Sequence, residues 1–217
     1  MRVVILISGR GSNMQALLEA EYNGAVEFCC VLSNKADAAG LQVAAAHGVP
    51  TEVLDHRAFA DRASFDTALA ERIDAHRPDV VVLAGFMRVL TADFVRHYAN
   101  RLINVHPALL PAFPGLDTHA RALAAGVRLH GCTVHFVTPE VDAGPIIAQA
   151  AVPVLADDTP QSLAARVLRQ EHRVFPMVLR WLAQGRVQVR DDDTVSVAPG
   201  PDDMPADVAL IAPGPSD

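Results

Sequence analysis

Lysine is almost missing from this 217-residue chain. Lys35 is the only one among 18 basic residues, which face 25 acidic ones for a formal net charge of −7. No run of basic residues compensates, so a nucleic-acid surface, which depends on clustered cations at phosphates, is not expected. Cysteine is scarce too: Cys29, Cys30 and Cys132 are an odd set without a Cys-x-x-Cys pair. Neither a disulfide framework nor a zinc site is expected, and a reducing, cytoplasmic location follows as the default. Long apolar runs are also absent. The stretch Val3–Ile7 is too short for a signal segment or a membrane span, and Ser8-Gly9 follows it at once. With 51% hydrophobic residues, the chain has enough apolar material for one domain with a generous core.

What is present alternates with regularity. Arg2–Ile7 reads as a buried strand, and the loop Ser8-Gly-Arg-Gly-Ser-Asn13 leads into a helix over 14–20, with Ser12 as N-cap and Gln15 completing a capping box. Strands are expected at 26–32, 51–54, 79–84 and 102–106, with helices at 38–47, 59–75 and from Thr91 to about Tyr98. The run Val80-Val-Val-Leu83 suits a central parallel strand covered on both faces. This pattern implies an α/β fold with a doubly wound, mostly parallel, Rossmann-like sheet. After a helix at 118–125, strands at 130–137 and 145–154 are separated by too short a link for a crossover, so they pair antiparallel. Thr159 and Pro160 start a helix with an apolar stripe through Leu163, Val167, Val174, Val178 and Leu182, and Pro176 should kink it. A small hairpin at 186–197 follows. The single domain is thus expected to span 1–197, in halves of about 1–100 and 101–197. The Pro, Gly and Asp-rich stretch 198–217 reads as a flexible tail.

Two places carry chemistry. The loop around Gly11, Ser12 and Asn13 joins a strand to a helix start, where amide N–H groups and the helix dipole favour an anion. It matches neither a dinucleotide fingerprint nor a Walker loop, and an ordinary tight turn is the alternative. In Leu102-Ile-Asn-Val-His-Pro107, Asn104 and His106 share one strand face, and Pro107 ends the strand just beyond them. Open α/β sheets collect ligands at such strand tips. The alternative is a satisfied rim histidine beside a turn-forming asparagine.

The stretch Asn104-x-His106-Pro-x-Leu-Leu-Pro-x-Phe-x-Gly115, with Gly131-Cys-Thr-Val-His-Phe-Val137 and Val141-Asp-Ala-Gly-Pro-Ile-Ile147, resembles the folate-dependent formyltransferases. Ile7–Asn13, Leu83–Leu90 and Gln170-Glu-His172 narrow the resemblance to the branch that acts on glycinamide ribonucleotide in purine synthesis. It covers roughly residues 1 to 190. Ala108 departs from the usual Ser, and Pro139 from a usually acidic position. The resemblance implies formyl transfer from 10-formyltetrahydrofolate to the glycinamide amine. It assigns catalysis to Asn104, His106 and Asp142, and phosphate binding to Gly11, Ser12 and Asn13. Glu171 would contact the ribose or glycinamide end. The folate cleft would be lined by Met87, Arg88, Val89 and Leu90, by Asn104, and by Thr138, Pro139, Glu140, Val141 and Asp142, with Arg62 near the folate's glutamate tail. The partners implied are small molecules, without nucleic acid or membrane, and the chain would be a monomer or homodimer. No metal is expected, since acyl transfer to an amine needs none. Asp142 has an independent explanation as a turn former before Ala-Gly-Pro. The related hydrolase and the transfer-RNA-directed formyltransferase would need a further domain, for which no room is expected.

Overall fold

The computed structural model describes residues 1–200; from 201 on, the expected tail lies outside the described residues. In chain order the elements are β1 (Arg2–Ile7), α1 (Ser12–Glu19), β2 (Glu27–Ser33), α2 (Gly40–Ala46), β3 (Thr51–Val53), α3 (Arg62–Ala75), β4 (Val80–Leu83), α4 (Ala92–His97), β5 (Leu102–His106), α5 (Thr118–Ala124), β6 (Leu129–Phe136), β7 (Ile146–Pro153), α6 (Pro160–Ala183), β8 (Val187–Val189) and β9 (Val195–Val197). Seven strands form one sheet in the order β3-β2-β1-β4-β5-β6-β7. The first five pair parallel, β6 and β7 join antiparallel, and β8 and β9 form a separate hairpin.

The period-two alternation of the strands sorts their side chains between two cores. Val3, Ile5 and Ile7 of β1 pack with α1, α2, α5 and α6, whereas Val4 and Leu6 pack with α3 and α4. On β5, Ile103 and Val105 join the first core and Leu102 the second, so Asn104 and His106 face the α3–α4 side. The strand order reverses between β1 and β4, which puts the switch point at their carboxyl ends, one strand away from β5.

Two helix starts fall where local capping signals put them, and two do not. Thr159 makes a complete capping box with Ser162, and Thr91 accepts from the Phe94 N–H, as expected. Ser12 is not an N-cap. That position belongs to Gly11, in the left-handed region at φ 75°, and Ser12 is already helical, while Gln15 turns to Glu19 instead. Only glycine suits Gly11: a Cβ there would meet Gly40 Cα at 2.9 Å. The helix expected from Phe59 starts at Arg62, because Asp61 forms the capping box and a 3-10 turn occupies His56–Ala58. The helix α6 runs without interruption through Pro176. Ala198, expected to open the tail, still pairs with Arg186 through its N–H and its carbonyl.

Candidate active site

Asn104 and His106 reach the carboxyl end of β5, and the antiparallel register opposes Asn104 with His135 on β6. Opposed residues of such a pair share a sheet face, and here they meet. The Asn104 Nδ2 lies 3.3 Å from His135 Nε2, and His135 Nδ1 lies 2.8 Å from the Phe136 carbonyl. A carbonyl only accepts, so Nδ1 carries the hydrogen and Nε2 accepts from the Asn104 amide. Burial lowers the His135 pKa, opposed by the Phe136 carbonyl and the Asp142 carboxylate, which fits a neutral ring. The 3.9 Å approach of its Nε2 to Asp142 Oδ1 is then a contact between two acceptors and not an ion pair. His135 thereby fixes which end of the Asn104 amide enters the site.

His106 is 5% exposed. Its Nε2 donates to the Phe113 carbonyl at 2.9 Å, and its Nδ1 lies 3.4 Å from Asp142 Oδ2. An imidazolium would have a donor for each acceptor. The second distance is long for a charge-assisted hydrogen bond, which ordinarily measures about 2.7–2.9 Å. Asp142 is no mere turn former. Its Oδ2 accepts from the Gly115 N–H at 2.8 Å, tying its loop to the loop that follows β5. Its backbone is left-handed at φ 54°, a conformation that Asp and Asn tolerate better than most residues. Gly144 anchors the same loop, since a Cβ there would fall 1.9 Å from the Phe136 carbonyl oxygen.

The loop after β5 is pinned from below. Thr133 Oγ1 donates to the Ala108 carbonyl at 2.7 Å and accepts from the Leu110 N–H and from Gln149 Nε2. Gln149 also donates to the Leu110 carbonyl. These bonds hold the backbone that presents Phe113 to His106, at a position where Ala108 offers no hydroxyl of its own.

A cleft of about 140 Å³ opens beside these groups, lined by Leu83, Phe86, Arg88, Val89, Leu90, Val95, Asn104, His135, Val137, Thr138, Pro139, Val141 and Asp142. The structure thus brings together most of the residues expected there. Met87, Glu140 and Arg62 are exposed and do not line it, although Met87, Val89 and Val141 form exposed apolar surface, which is what a flat aromatic ligand would cover. Arg88 spreads over the Phe65 ring at 5.1 Å, and Arg62 begins α3. Across the switch point, the first-turn amides of α1 precede its first helical bond, from the Gln15 N–H to the Gly11 carbonyl. Asn13 Nδ2 donates to Glu171 Oε2 at 2.7 Å, joining α1 to α6. Glu171 is 6% exposed, and burial raises its pKa despite that hydrogen bond.

The formyl transferase family model matches residues 1–179. The phosphoribosylglycinamide formyltransferase of Escherichia coli K12 is 50% identical over 88% of this chain and 92% of its own length. The bovine trifunctional purine biosynthetic protein adenosine-3 is 46% identical, and there the chain spans 19% of a longer protein. Among solved structures, glycinamide ribonucleotide transformylase 1 from Symbiobacterium toebii superposes with a TM-score of 0.88 at 45% identity, covering 92% of this chain and 94% of that one. With a family match over most of its length and relatives covered nearly end to end, this chain belongs to the formyl transferase family.

Proposed function

We propose that this enzyme transfers the formyl group of 10-formyltetrahydrofolate to the primary amine of glycinamide ribonucleotide, in the purine biosynthesis to which its relatives belong. The observation that carries the reading is the convergence of Asn104, His106 and Asp142 at the β5 tip, beside a cleft rimmed with apolar groups. The pterin would occupy that cleft, and Arg62, at the start of α3, would meet the folate's glutamate tail. The phosphate would sit on the first-turn amides of α1 around Gly11, Ser12 and Asn13, with Glu171 toward the ribose or glycinamide end.

Formyl transfer proceeds by attack of the neutral amine on the formyl carbon. A C–N bond forms, and the carbonyl electron pair moves to oxygen, giving an oxyanion beside a cationic nitrogen. Asn104, its amide oriented by His135, donates to that oxyanion. The His106 imidazolium joins it by turning Nδ1 from the loose Asp142 contact to a stronger acceptor. Asp142 takes the ammonium proton, through a water. Collapse of the intermediate breaks the bond to the folate nitrogen, which leaves with a proton from His106. No step needs a covalent enzyme intermediate. The reaction involves only small molecules, and the chain acts as a monomer or homodimer in the cytoplasm. No helix among the described residues is long and apolar enough to cross a membrane.

The test is turnover of 10-formyltetrahydrofolate with and without glycinamide ribonucleotide, following the deformylated folate. Release that depends on the amine supports transfer. Equal release without it would indicate a hydrolase.

A further inference from the structure

At the far end of α3 from Arg62, three chemically different donors converge: the Cys30 thiol of β2, the Glu52 carboxylate of β3 and the His76 imidazole that caps α3. Their ligating atoms all lie within 4.8 Å of one another. The register that places Glu52 opposite Leu32 puts it on the same sheet face as Cys30, under the helix. Arg2 fixes the end of that helix by donating from its guanidinium to the His76 carbonyl at 2.9 and 3.2 Å. Two of the donors are therefore held by strands, and the third by the residue that caps the end of α3. Glu52 also accepts from Arg72 at 3.3 Å, and His76 Nε2 lies 2.7 Å from Glu52 Oε1.

We propose that Cys30, Glu52 and His76 form a zinc site, separate from the formyl-transfer machinery. One sulfur, one oxygen and one nitrogen suit a borderline-soft, tetrahedral ion, and neither calcium nor magnesium would accept the thiol. Tetrahedral zinc with bonds of about 2.0–2.3 Å sets its donors roughly 3.2–3.6 Å apart. The Glu52–His76 pair at 2.7 Å would open by about half an ångström, and a spacing at the 4.8 Å limit would close by roughly an ångström. Cys30 is fully buried, while the side chains of Glu52 and His76 are 28% and 22% exposed. The fourth position therefore opens toward solvent, where a water completes the shell. Zinc enters on that side, the sulfur–zinc bond forms as the thiol proton leaves to solvent, and the ion then ties β2, β3 and α3 together. Because each donor comes from a different element, no spacing motif announces the site.

The experiment uses the untagged full chain, stripped with chelator and titrated with Zn²⁺, or with Co²⁺ as a spectroscopic probe. One equivalent of Co²⁺ should bind with tetrahedral visible bands and a thiolate-to-cobalt charge-transfer band. Cys29→Ser should retain that band and Cys30→Ser should lose it. Glu52→Gln and His76→Gln, at partly exposed positions that leave the core intact, should each weaken Zn²⁺ at least tenfold. Zinc should also raise the melting temperature of the parent chain by several degrees and leave that of Glu52→Gln nearly unmoved. A parent chain that takes up no stoichiometric metal at micromolar concentrations, or affinities unchanged in both Glu52→Gln and His76→Gln, would overturn the proposal and leave the cluster a hydrogen-bonded ion pair beside a thiol.

Discussion

Asn104 and His106 stand two residues apart yet are held by different means, and that difference decides how each should respond to change. Asn104 is oriented by one neutral histidine, whereas His106 is held by a carbonyl at 2.9 Å, with a carboxylate 3.4 Å from its other nitrogen. An oxyanion donor is typically worth about 3 kcal/mol, so Asn104→Ala and His106→Ala should each cut kcat on the order of a hundredfold or more while circular dichroism stays unchanged. Near-parental kcat in both would remove the catalytic assignment. Asp142→Asn asks a finer question. Asn tolerates the left-handed backbone and can still accept from the Gly115 N–H, so the loop should survive. What disappears is the negative charge opposite His106 and the acceptor proposed for the amine proton. Both KM values should hold while kcat falls at least tenfold. Full activity would reduce Asp142 to a tether between two loops. The Asn104–His106 pair was legible in the sequence because strand periodicity and Pro107 suffice to place it. The role of His135 was not, since it depends on a pairing register between strands far apart in sequence.

At the scale of elements, the strand–loop–helix order was legible for the same reason that the sheet forms: apolar alternation and turn residues are local signals. The starts of α1 and α3 were not. Gly11 caps α1 through its backbone conformation and the close approach of Gly40, and neither the contact nor the φ value is written in a Ser-x-x-Gln pattern. This changes how the phosphate loop should be tested. A β-branched residue at Gly11 would clash with Gly40 Cα and lose the left-handed cap, so it should lower the melting temperature and impair both substrates together. Asn13→Ala is the cleaner probe, because it leaves the backbone amides in place and removes only the link to Glu171. A buried carboxylate left without its donor costs roughly 1–3 kcal/mol, a penalty that falls on the side of the site assigned to the ribonucleotide. The KM for glycinamide ribonucleotide should therefore rise at least fivefold, with that for the folate changing less than twofold. Equal rises would place Asn13 and Glu171 in the shared scaffold and not in one subsite.

For the whole molecule, the histidines that surround the β5 loop make folding itself sensitive to acid. His130 is 1% exposed, with its ring against Phe113 and His119 and the Pro107 backbone beside it. Burial, reinforced by the neighbouring His119, pulls its pKa from 6.5 down to about 4; His119 and His135 are also lowered, burial being the larger cause. The folded chain therefore refuses a proton that the unfolded chain accepts. Stability from this source is complete above pH 6.5 and is lost progressively as the pH falls toward 4, below which both states are protonated. For His130 alone the span corresponds to roughly 3 kcal/mol. The ion pair of Asp158 with Arg166 acts in a different window. Its carboxyl is held well below the ordinary 3.8 by the Arg166 guanidinium, so its contribution begins to fade only below about pH 4. The two sources can thus be separated by pH. Melting temperature followed from pH 7.5 to 4.5 should fall by several degrees in the parent chain. His130→Phe keeps the aromatic packing but removes the titrating group, and it should flatten that slope. An unchanged slope would mean that the acid lability resides in His119, His135 or elsewhere, and that the His130 ring is relieved by opening of the β5 loop before the chain unfolds.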